Sequence, residues 1–286
     1  MKLLAFLTLT LPIALSASAE TIKIASWNIE HLRASEGMGK NPRHADDFHR
    51  LRQYAALLDA DIVALQEIES ELALAKVFDP NLYRFYVSER NGKQRTAFAV
   101  RHTVPAERHP DLEALNTTGG LRHGVDIEIF VGKRSIRLLA VHLKAFCFKE
   151  PLPEPDIMGN ACEKLASQIP KLERWIDERA AIGTPFVVLG DFNRRFDEPG
   201  DDFWSDIDDG EPNEIKLSRA TEGRISECWG GEFPRYIDHI VYDLQVGRWV
   251  VSESFHQLLY TEPESMKKLL SDHCPIAVTL DVPPSD

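Results

Sequence analysis

Six short apolar runs in this chain each end in an acid, an amide or an imidazole. Runs rich in Val, Ile and Leu are typical of buried β-strands. A strand inside a sheet core must be apolar, but its end can carry polar groups to the solvent. We therefore expect these strand ends to form one site at one edge of a layered fold. The runs are Ile24-Ala-Ser-Trp-Asn28, Val63-Ala-Leu-Gln-Glu67, Leu139-Ala-Val-His142, Val187-Val-Leu-Gly-Asp191-Phe-Asn193, Tyr236-Ile-Asp238-His239 and Ser271-Asp272-His273.

Hairpin and helix patterns accompany these strands. Residues 83–101 and 125–142 each read as two strands joined by a tight turn. Amphipathic periodicity predicts helices at residues 43–58 and 162–179, and apolar content predicts a further strand at residues 249–255. Hairpins indicate antiparallel pairing, and interspersed helices indicate layers outside the sheets. We expect an α/β fold of two packed, mixed sheets flanked by helices.

The polar strand ends run from Asn28 to His273, so dividing the chain would divide the site. We therefore expect a single catalytic domain over residues 20–286. Residues 1–19 read as a secretory signal, with a positive start, an apolar run and the cleavage site Ala17-Ser-Ala19. The alternative is a transmembrane anchor, but the run is shorter than the roughly 20 residues that a span needs. The mature chain is expected to be a secreted or periplasmic monomer without stable membrane insertion.

Four cysteines in an exported protein favour disulfide bonds, and the sequence alone permits three connectivities. Cys147 and Cys162 flank a Pro-rich loop, which their pairing would fix in place. Cys228 and Cys274 would then form the second pair. The alternative is that Cys274, in a strand-like run, is a free buried thiol.

The chain is acidic, with a formal net charge of −12. Such a chain is poorly suited to nonspecific binding of a phosphate backbone by counterion release. Its charge does not exclude a nuclease, because a metal ion at the site can supply local positive charge. No block of Lys and Arg is present, which argues against a tight, processive binder of nucleic acid.

Oxygen ligands together with two histidines suit a hard divalent cation and a phosphate ester. Glu67 ends a buried strand and can hold a cation there; the alternative is an acid in the first turn of a following helix. Gly190 lets the backbone turn, so that Asp191 and Asn193 can point the same way. One could orient a water or cation, and the other could bind a phosphate oxygen. The alternative is that this motif has only a structural role, as an Asx turn capping a loop.

The last motif places an acid and an imidazole just before the final strand. Asp272 could bind metal or water, and His273 could be a general base that Asp238 orients. His142 is either a second imidazole at the site or a buried core histidine. Asn28 either contributes its amide to the site or is an ordinary turn residue.

In order and spacing, these motifs resemble the endonuclease/exonuclease/phosphatase superfamily over nearly the whole chain, and its pancreatic deoxyribonuclease branch in particular. The resemblance implies a four-layered α/β/β/α sandwich of two packed mixed sheets flanked by helices. It also implies a Mg²⁺ site, with Mn²⁺ or Ca²⁺ as substitutes, at Glu67 with Asn28 and Asp272 beside it. The residues that it implies for catalysis are His142, Asp191, Asn193, Asp238 and His273, of which Asn193 also binds the substrate.

Arg95 and Arg122 lie in stretches that resemble those of the deoxyribonuclease branch, and both are predicted to bind the substrate. Two positions depart from that branch. Gln94 replaces the glutamate that orients the first histidine, and we expect it to hold His142 by a hydrogen bond. Glu69 replaces a minor-groove arginine and is expected to repel a DNA backbone.

The chain is therefore predicted to be a secreted, Mg²⁺-dependent phosphodiesterase that uses in-line attack of activated water, with His273 or Asp191 as the base. The leading substrate is nucleic acid, cut endonucleolytically. One alternative is a phospholipid or inositol-phosphate phosphoesterase of the same superfamily. Another, from a different class, is a non-catalytic binding module.

Overall fold

The computed structural model describes residues 19–284, so the predicted secretory signal lies outside the described residues except for Ala19. The described part of the chain contains twelve β-strands and six α-helices. The strands are β1 (Glu20–Leu32), β2 (Ile62–Ile68), β3 (Tyr83–Val87), β4 (Arg95–Arg101), β5 (Ala106–Arg108), β6 (Val125–Val131), β7 (Arg134–His142), β8 (Phe186–Asp191), β9 (Leu217–Arg219), β10 (Asp238–Asp243), β11 (His256–Gln257) and β12 (Ile276–Val282). The helices are α1 (Ala45–Leu58), α2 (Glu71–Leu74), α3 (Ala161–Ala166), α4 (Ile169–Ala181), α5 (Asp202–Ile207) and α6 (Leu244–Gly247).

The strands form two sheets of six. The first sheet has the order β11-β12-β1-β2-β4-β3, and the second has the order β5-β6-β7-β8-β10-β9. Both sheets are mixed, because β1 and β2 are parallel in the first and β7 and β8 are parallel in the second. The other neighbours are antiparallel. A parallel pair brings the carboxyl ends of its two strands to the same edge of the sheet.

Side-chain alternation along the strands builds the layers. Ile24 of β1 packs between the two sheets, whereas Trp27 of the same strand packs on the outer face with helix α1. In the second sheet, Leu138 faces the first sheet and Leu139 packs on the outer face with α4. Apolar residues therefore fill three successive cores, which confirms the predicted α/β/β/α sandwich.

The predicted helix at residues 162–179 is divided into α3 and α4. Pro170 lies in the first turn of α4, where a backbone N–H would have no partner within the helix, so the N–H that proline lacks is not needed. Inside one continuous helix the same ring would remove a hydrogen bond and clash with the preceding turn. The sequence therefore contained the signal for this break.

The predicted strand at residues 249–255 is wrong. The segment makes one isolated bridge, between Val250 and Leu280, and only brief backbone pairing with β12. Trp249 is buried in the core between the sheets. The apolar residues of this segment therefore reflect packing against that core and not a place in a sheet ladder.

Two disulfide bonds join Cys147 to Cys162 and Cys228 to Cys274. The first closes a loop beyond β7, and the second ties the loop before β10 to the segment before β12. Among residues 19–284, none of the helices combines the length and apolarity needed to cross a membrane.

Candidate active site

The polar strand ends meet around one pocket of about 390 Å³. Strands β7, β8 and β10 are neighbours, and their register places His142, Asp191 and Asp238 side by side. From the other sheet, Asn28 Nδ2 donates a hydrogen bond to Asp191 Oδ2 at 3.1 Å and so bridges the sandwich. The predicted site residues in the pocket wall are Glu67, His142, Asp191, Asn193, Asp238, Asp272 and His273.

Asp238 and His273 form a short hydrogen bond, with His273 Nδ1 at 2.6 Å from Asp238 Oδ2. Burial alone would favour the neutral imidazole, but the charge of Asp238 and its hydrogen bond outweigh burial and raise the pKa of His273 well above its ordinary value. His273 is therefore held protonated at neutral pH. Its Nε2 lies 3.9 Å from Asp191 Oδ2, toward the pocket centre.

Asp191 is the buried carboxylate at the centre of the site. Its Oδ1 accepts the backbone N–H of Asn193 at 2.8 Å, and its Oδ2 lies 3.5 Å from His142 Nε2. Burial, and then the negative charge of Asp238, raises the pKa of Asp191 to about 7. A carboxylate with that pKa can exchange a proton near neutral pH.

The backbone around Gly190 explains why this motif needs a glycine. Gly190 has φ +148°, and a Cβ there would lie 2.1 Å from the carbonyl oxygen of Val141 on β7. Asn193 follows in the left-handed region with φ +54°, and its Nδ2 donates to the carbonyl of Leu143 at 3.1 Å. The close approach of β7 and β8 therefore sets the positions of both polar side chains.

His142 is buried against Asp191, and its Nδ1 has no hydrogen-bond partner among residues 19–284. Burial, and then the charge of Arg122, lowers the pKa of His142 well below its ordinary value, so the ring is neutral. The prediction that Gln94 holds this ring is wrong. Gln94 Nε2 instead donates to Glu67 Oε2 at 2.6 Å, in the other sheet.

Glu67 lies in a strained stretch of β2. Its φ is +64°, and the register between β2 and β4 shifts between Leu65 and Ile68. A left-handed glutamate in a strand is uncommon and costs free energy, which tertiary contacts must offset. Here Glu67 Oε2 accepts the backbone N–H of His31 at 3.1 Å.

Two pocket residues, Glu30 and His31, were not predicted. Both have positive φ values, +42° and +55°, where β1 bends over the pocket. The backbone N–H of Asp272 donates to Glu30 Oε2 at 3.2 Å. The only sequence signal was their position: they extend the first apolar run beyond its polar end.

The donor set of this pocket fits a divalent cation. Burial, and then the negative charge of Asp272, raises the pKa of Glu30. Burial and the negative charge of Asp238 raise the pKa of Asp191 in the same way. Carboxylates that repel one another in a partly buried site favour a bound cation, and their oxygens are the ligands that Mg²⁺ prefers. Glu67 and Asp272, the carboxylates predicted for the metal, both line this pocket.

Asn28, which was predicted beside the metal, contacts two other residues of the site. Its Nδ2 donates to Asp191, and its Oδ1 accepts the backbone N–H of Glu30 at 3.0 Å. The amide oxygen keeps a second lone pair, so these bonds leave the predicted place beside the metal open. The hydrogen bond to Asp191 also suits Asn28 to position that carboxylate.

Neither predicted substrate-binding arginine lies in the pocket wall. Arg95 donates to the carbonyls of Glu69 at 2.6 Å and Ser88 at 3.3 Å, which turns its guanidinium away. Arg122 donates to the carbonyl of Leu143 at 2.5 Å, and its charge acts on Asp191 and His142. The basic side chains in the wall are Lys40, Arg195, Arg235 and Lys267. They are scattered along the chain, so no sequence cluster indicated them.

A family model described as the Endonuclease/Exonuclease/phosphatase family matches residues 25–273. No curated protein sequence matches the chain.

Among solved structures, TDP2 from C. elegans is similar with a TM-score of 0.64 and 19% identity, over 92% of this chain and 75% of that chain. D. rerio TDP2 complexed with a single strand DNA product is similar with a TM-score of 0.60 and 18% identity, over 91% and 98%. The catalytic domain of Xenopus laevis APE2 has a TM-score of 0.58 and 17% identity, over 93% and 94%. At such identities the similarity concerns the fold.

Proposed function

The chain belongs to the endonuclease/exonuclease/phosphatase family, whose members hydrolyse phosphoric ester bonds, and from this we propose that it is a metal-dependent phosphodiesterase that cuts nucleic acid. One observation carries the proposal. A single open pocket brings together Asp191, Asp238 and His273. The Asp191 carboxylate also accepts hydrogen bonds from the side chain of Asn28 and the backbone of Asn193.

We assign the general base to Asp191. A base must start unprotonated, and the charge of Asp238 holds the pKa of His273 well above its ordinary value. His273 therefore suits a different role, in which Nε2–H donates to a phosphoryl oxygen. The pKa of Asp191, raised to about 7 by burial and by Asp238, suits removal of a proton from the attacking water.

The other polar residues position these groups. Asn28 fixes Asp191 through the 3.1 Å hydrogen bond, and the Asn193 side chain is held by the carbonyl of Leu143. His142 is neutral and can bind a phosphate oxygen or the leaving group through Nε2. General base catalysis of this kind contributes roughly 10²–10⁴-fold to a rate.

Glu67 and Asp272 are the residues that we propose for the metal. When Mg²⁺ is bound, it offsets negative charge on the phosphoryl oxygens and the leaving group. Mn²⁺ and Ca²⁺ share the preference for oxygen ligands and are the substitutes to test. The strained backbone at Glu67 supports a functional role, because strain of this kind is concentrated at functional sites.

Nucleic acid is supported as the substrate by basic side chains at the pocket wall, in a chain that is acidic overall. One structural neighbour, D. rerio TDP2, is complexed with a single strand DNA product.

Export is supported by the predicted signal at residues 1–19 and by two disulfide bonds, which persist in oxidising compartments.

The test is hydrolysis of a labelled oligonucleotide and of plasmid DNA with Mg²⁺, with His273→Ala and chelation by EDTA as controls. We expect cleavage by the wild type, and loss of cleavage in both controls. A phospholipid and an inositol phosphate complete the panel. The proposed function is wrong if the wild type cleaves no nucleic acid, or if His273→Ala is as active as the wild type.

A further inference from the structure

Besides the buried Tyr236, four aromatic residues without a role in the chemistry described above line the pocket: Phe146, Phe148, Trp229 and Phe233. We name them the aromatic rim. The first two belong to the loop after β7, and the other two belong to the loop between β9 and β10. Phe146 is 76% exposed and Phe233 is 57% exposed. Phe148 and Trp229 are half-buried, and Trp229 is stacked on Tyr260. Two exposed aromatic rings at one pocket indicate a binding surface.

Both parts of the rim are held in place by disulfide bonds. Phe146 and Phe148 flank Cys147, which is bonded to Cys162, and Trp229 follows Cys228 directly. The carbonyl of Phe148 also accepts the backbone N–H of Arg195 at 2.9 Å. A loop backbone held in this way loses less conformational freedom when a ligand binds its side chains.

Positive charges accompany the rings. Lys144 Nζ lies 5.2 Å from the ring centre of Phe146, and the guanidinium carbon of Arg195 lies 6.0 Å from that of Phe148. Lys267, from the segment before β12, places its Nζ 5.2 Å from the ring centre of Phe233 and also pairs with Glu232. Rings next to cations match a ligand in which flat bases alternate with phosphates.

We propose that the aromatic rim is a stacking subsite for an unpaired nucleic-acid strand, so that the enzyme selects single-stranded over duplex substrate. This inference rests on the proposed phosphodiesterase function. Unpaired bases can stack on side-chain rings, whereas bases inside a duplex are already stacked on one another. A membrane surface is a poorer match, because Phe148 and Trp229 are half-buried in the pocket wall, where a bilayer surface does not reach them.

The test compares kcat/KM on three substrates with Mg²⁺. These are a short unpaired oligonucleotide, the same strand annealed to its complement, and a base-free strand of equal length. We expect the wild type to prefer the unpaired, base-bearing strand. In Phe146→Ala and Phe148→Ala, the preference over the base-free strand should fall about tenfold, the effect typical of one lost stacking contact.

The preference is a ratio measured on one preparation, so a smaller folded fraction in a variant does not change it. Phe130→Ala is the matched control, since Phe130 is an exposed aromatic residue on β6 outside the pocket wall. It should keep the wild-type ratio.

The outcomes separate the two proposals. No cleavage of any strand by the wild type overturns the proposed function itself. The stacking subsite alone is wrong if the wild type cleaves the duplex faster than the unpaired strand, or cleaves the base-free strand as fast as the base-bearing one. It is also wrong if both Phe variants keep the wild-type preference for the base-bearing strand. A final arm measures binding to vesicles of phosphatidylcholine and phosphatidylserine. If the Phe variants lose vesicle binding but keep the base preference, the rings serve a membrane and the subsite is wrong.

Discussion

Asp238 Oδ2 lies 2.6 Å from His273 Nδ1, although the two residues are 35 positions apart. Asp238 begins β10 in the second sheet, whereas His273 lies just before β12 of the first sheet. Asp238→Asn keeps the shape of the side chain but removes the charge that keeps His273 protonated. We expect kcat on a phosphodiester to fall about 10²–10³-fold, the loss usual when one donor to a developing negative charge is weakened.

A matched control is available for this change. His109 and Glu128 form a similar pair at 3.1 Å in the second sheet, outside the pocket wall. Glu128→Gln should leave kcat within about twofold of the wild type, as expected of a change remote from the site. Equal losses in the two variants would show that the Asp238 effect is not specific to the site.

Removal of the Glu67 carboxylate should weaken metal binding. For Glu67→Gln, we expect the affinity for Mg²⁺ alone, measured by isothermal titration calorimetry, to fall at least about tenfold, as changes around metal ligands usually do. Glu69→Gln is the control, because the Glu69 carboxylate is engaged by Arg33 at 2.9 Å and by the backbone N–H of Ala34 at 3.0 Å. If the two variants bind Mg²⁺ equally well, Glu67 is not a ligand.

Gly190→Ala should destabilise the fold. The added Cβ would lie 2.1 Å from the carbonyl oxygen of Val141, and φ is +148°. We expect the free energy of unfolding to fall by about 3 kcal/mol or more, measured with urea. Gly183→Ala has a positive φ of +68° but open space around it, so its loss should be smaller. A loss as large in the control would contradict the close-contact explanation.

His239 should make the protein less stable in acid. It is buried and stacked on Phe196, with Nδ1 at 2.6 Å from Thr221 Oγ1 and Nε2 at 2.8 Å from the carbonyl of Arg194. A neutral ring satisfies both partners, because Nε2–H donates to the carbonyl and Nδ1 accepts from the hydroxyl. Burial lowers the pKa of His239 to about 4.

Because the pKa of His239 is lower in the folded state than its ordinary 6.5, protons bind the unfolded chain preferentially between these values. Its contribution to stability is therefore complete above pH 6.5 and is lost as the pH falls toward 4. We expect this loss to be about 3 kcal/mol. His239→Gln removes the titrating group, so its free energy of unfolding should decline less between pH 7 and pH 4. Parallel curves for the two proteins would refute this account.

The polar strand ends were predictable because burial is a local property of the sequence. Apolar runs identified β1, β2, β7, β8 and β10. The runs of β2, β7 and β8 end in polar side chains that line the pocket, whereas Asp238 reaches it from the start of β10. Pro170 likewise contained the signal for the break between α3 and α4. In the segment at residues 249–255, apolar residues gave the wrong element because core packing and strand pairing leave the same local pattern.

Gln94 shows where prediction failed at the site. Its place in the motif order indicated His142, but its amide contacts Glu67 and lies 3.3 Å from His31 Nδ1. The left-handed backbone at Glu67 and the register shift of β2 turn the carboxylate toward Gln94. Neither feature has a sequence signal, because both result from contacts between distant segments.

The amino-acid sequence alone determined which segments become buried strands and which polar groups end them, since both follow from the hydrophobicity of neighbouring residues. Only the tertiary structure decided which of those groups touch. The alignment of His142, Asp191 and Asp238 depends on the register of three strands that are far apart in the chain. The position of the aromatic rim depends on loop conformations that disulfide bonds fix after folding has brought the cysteines together.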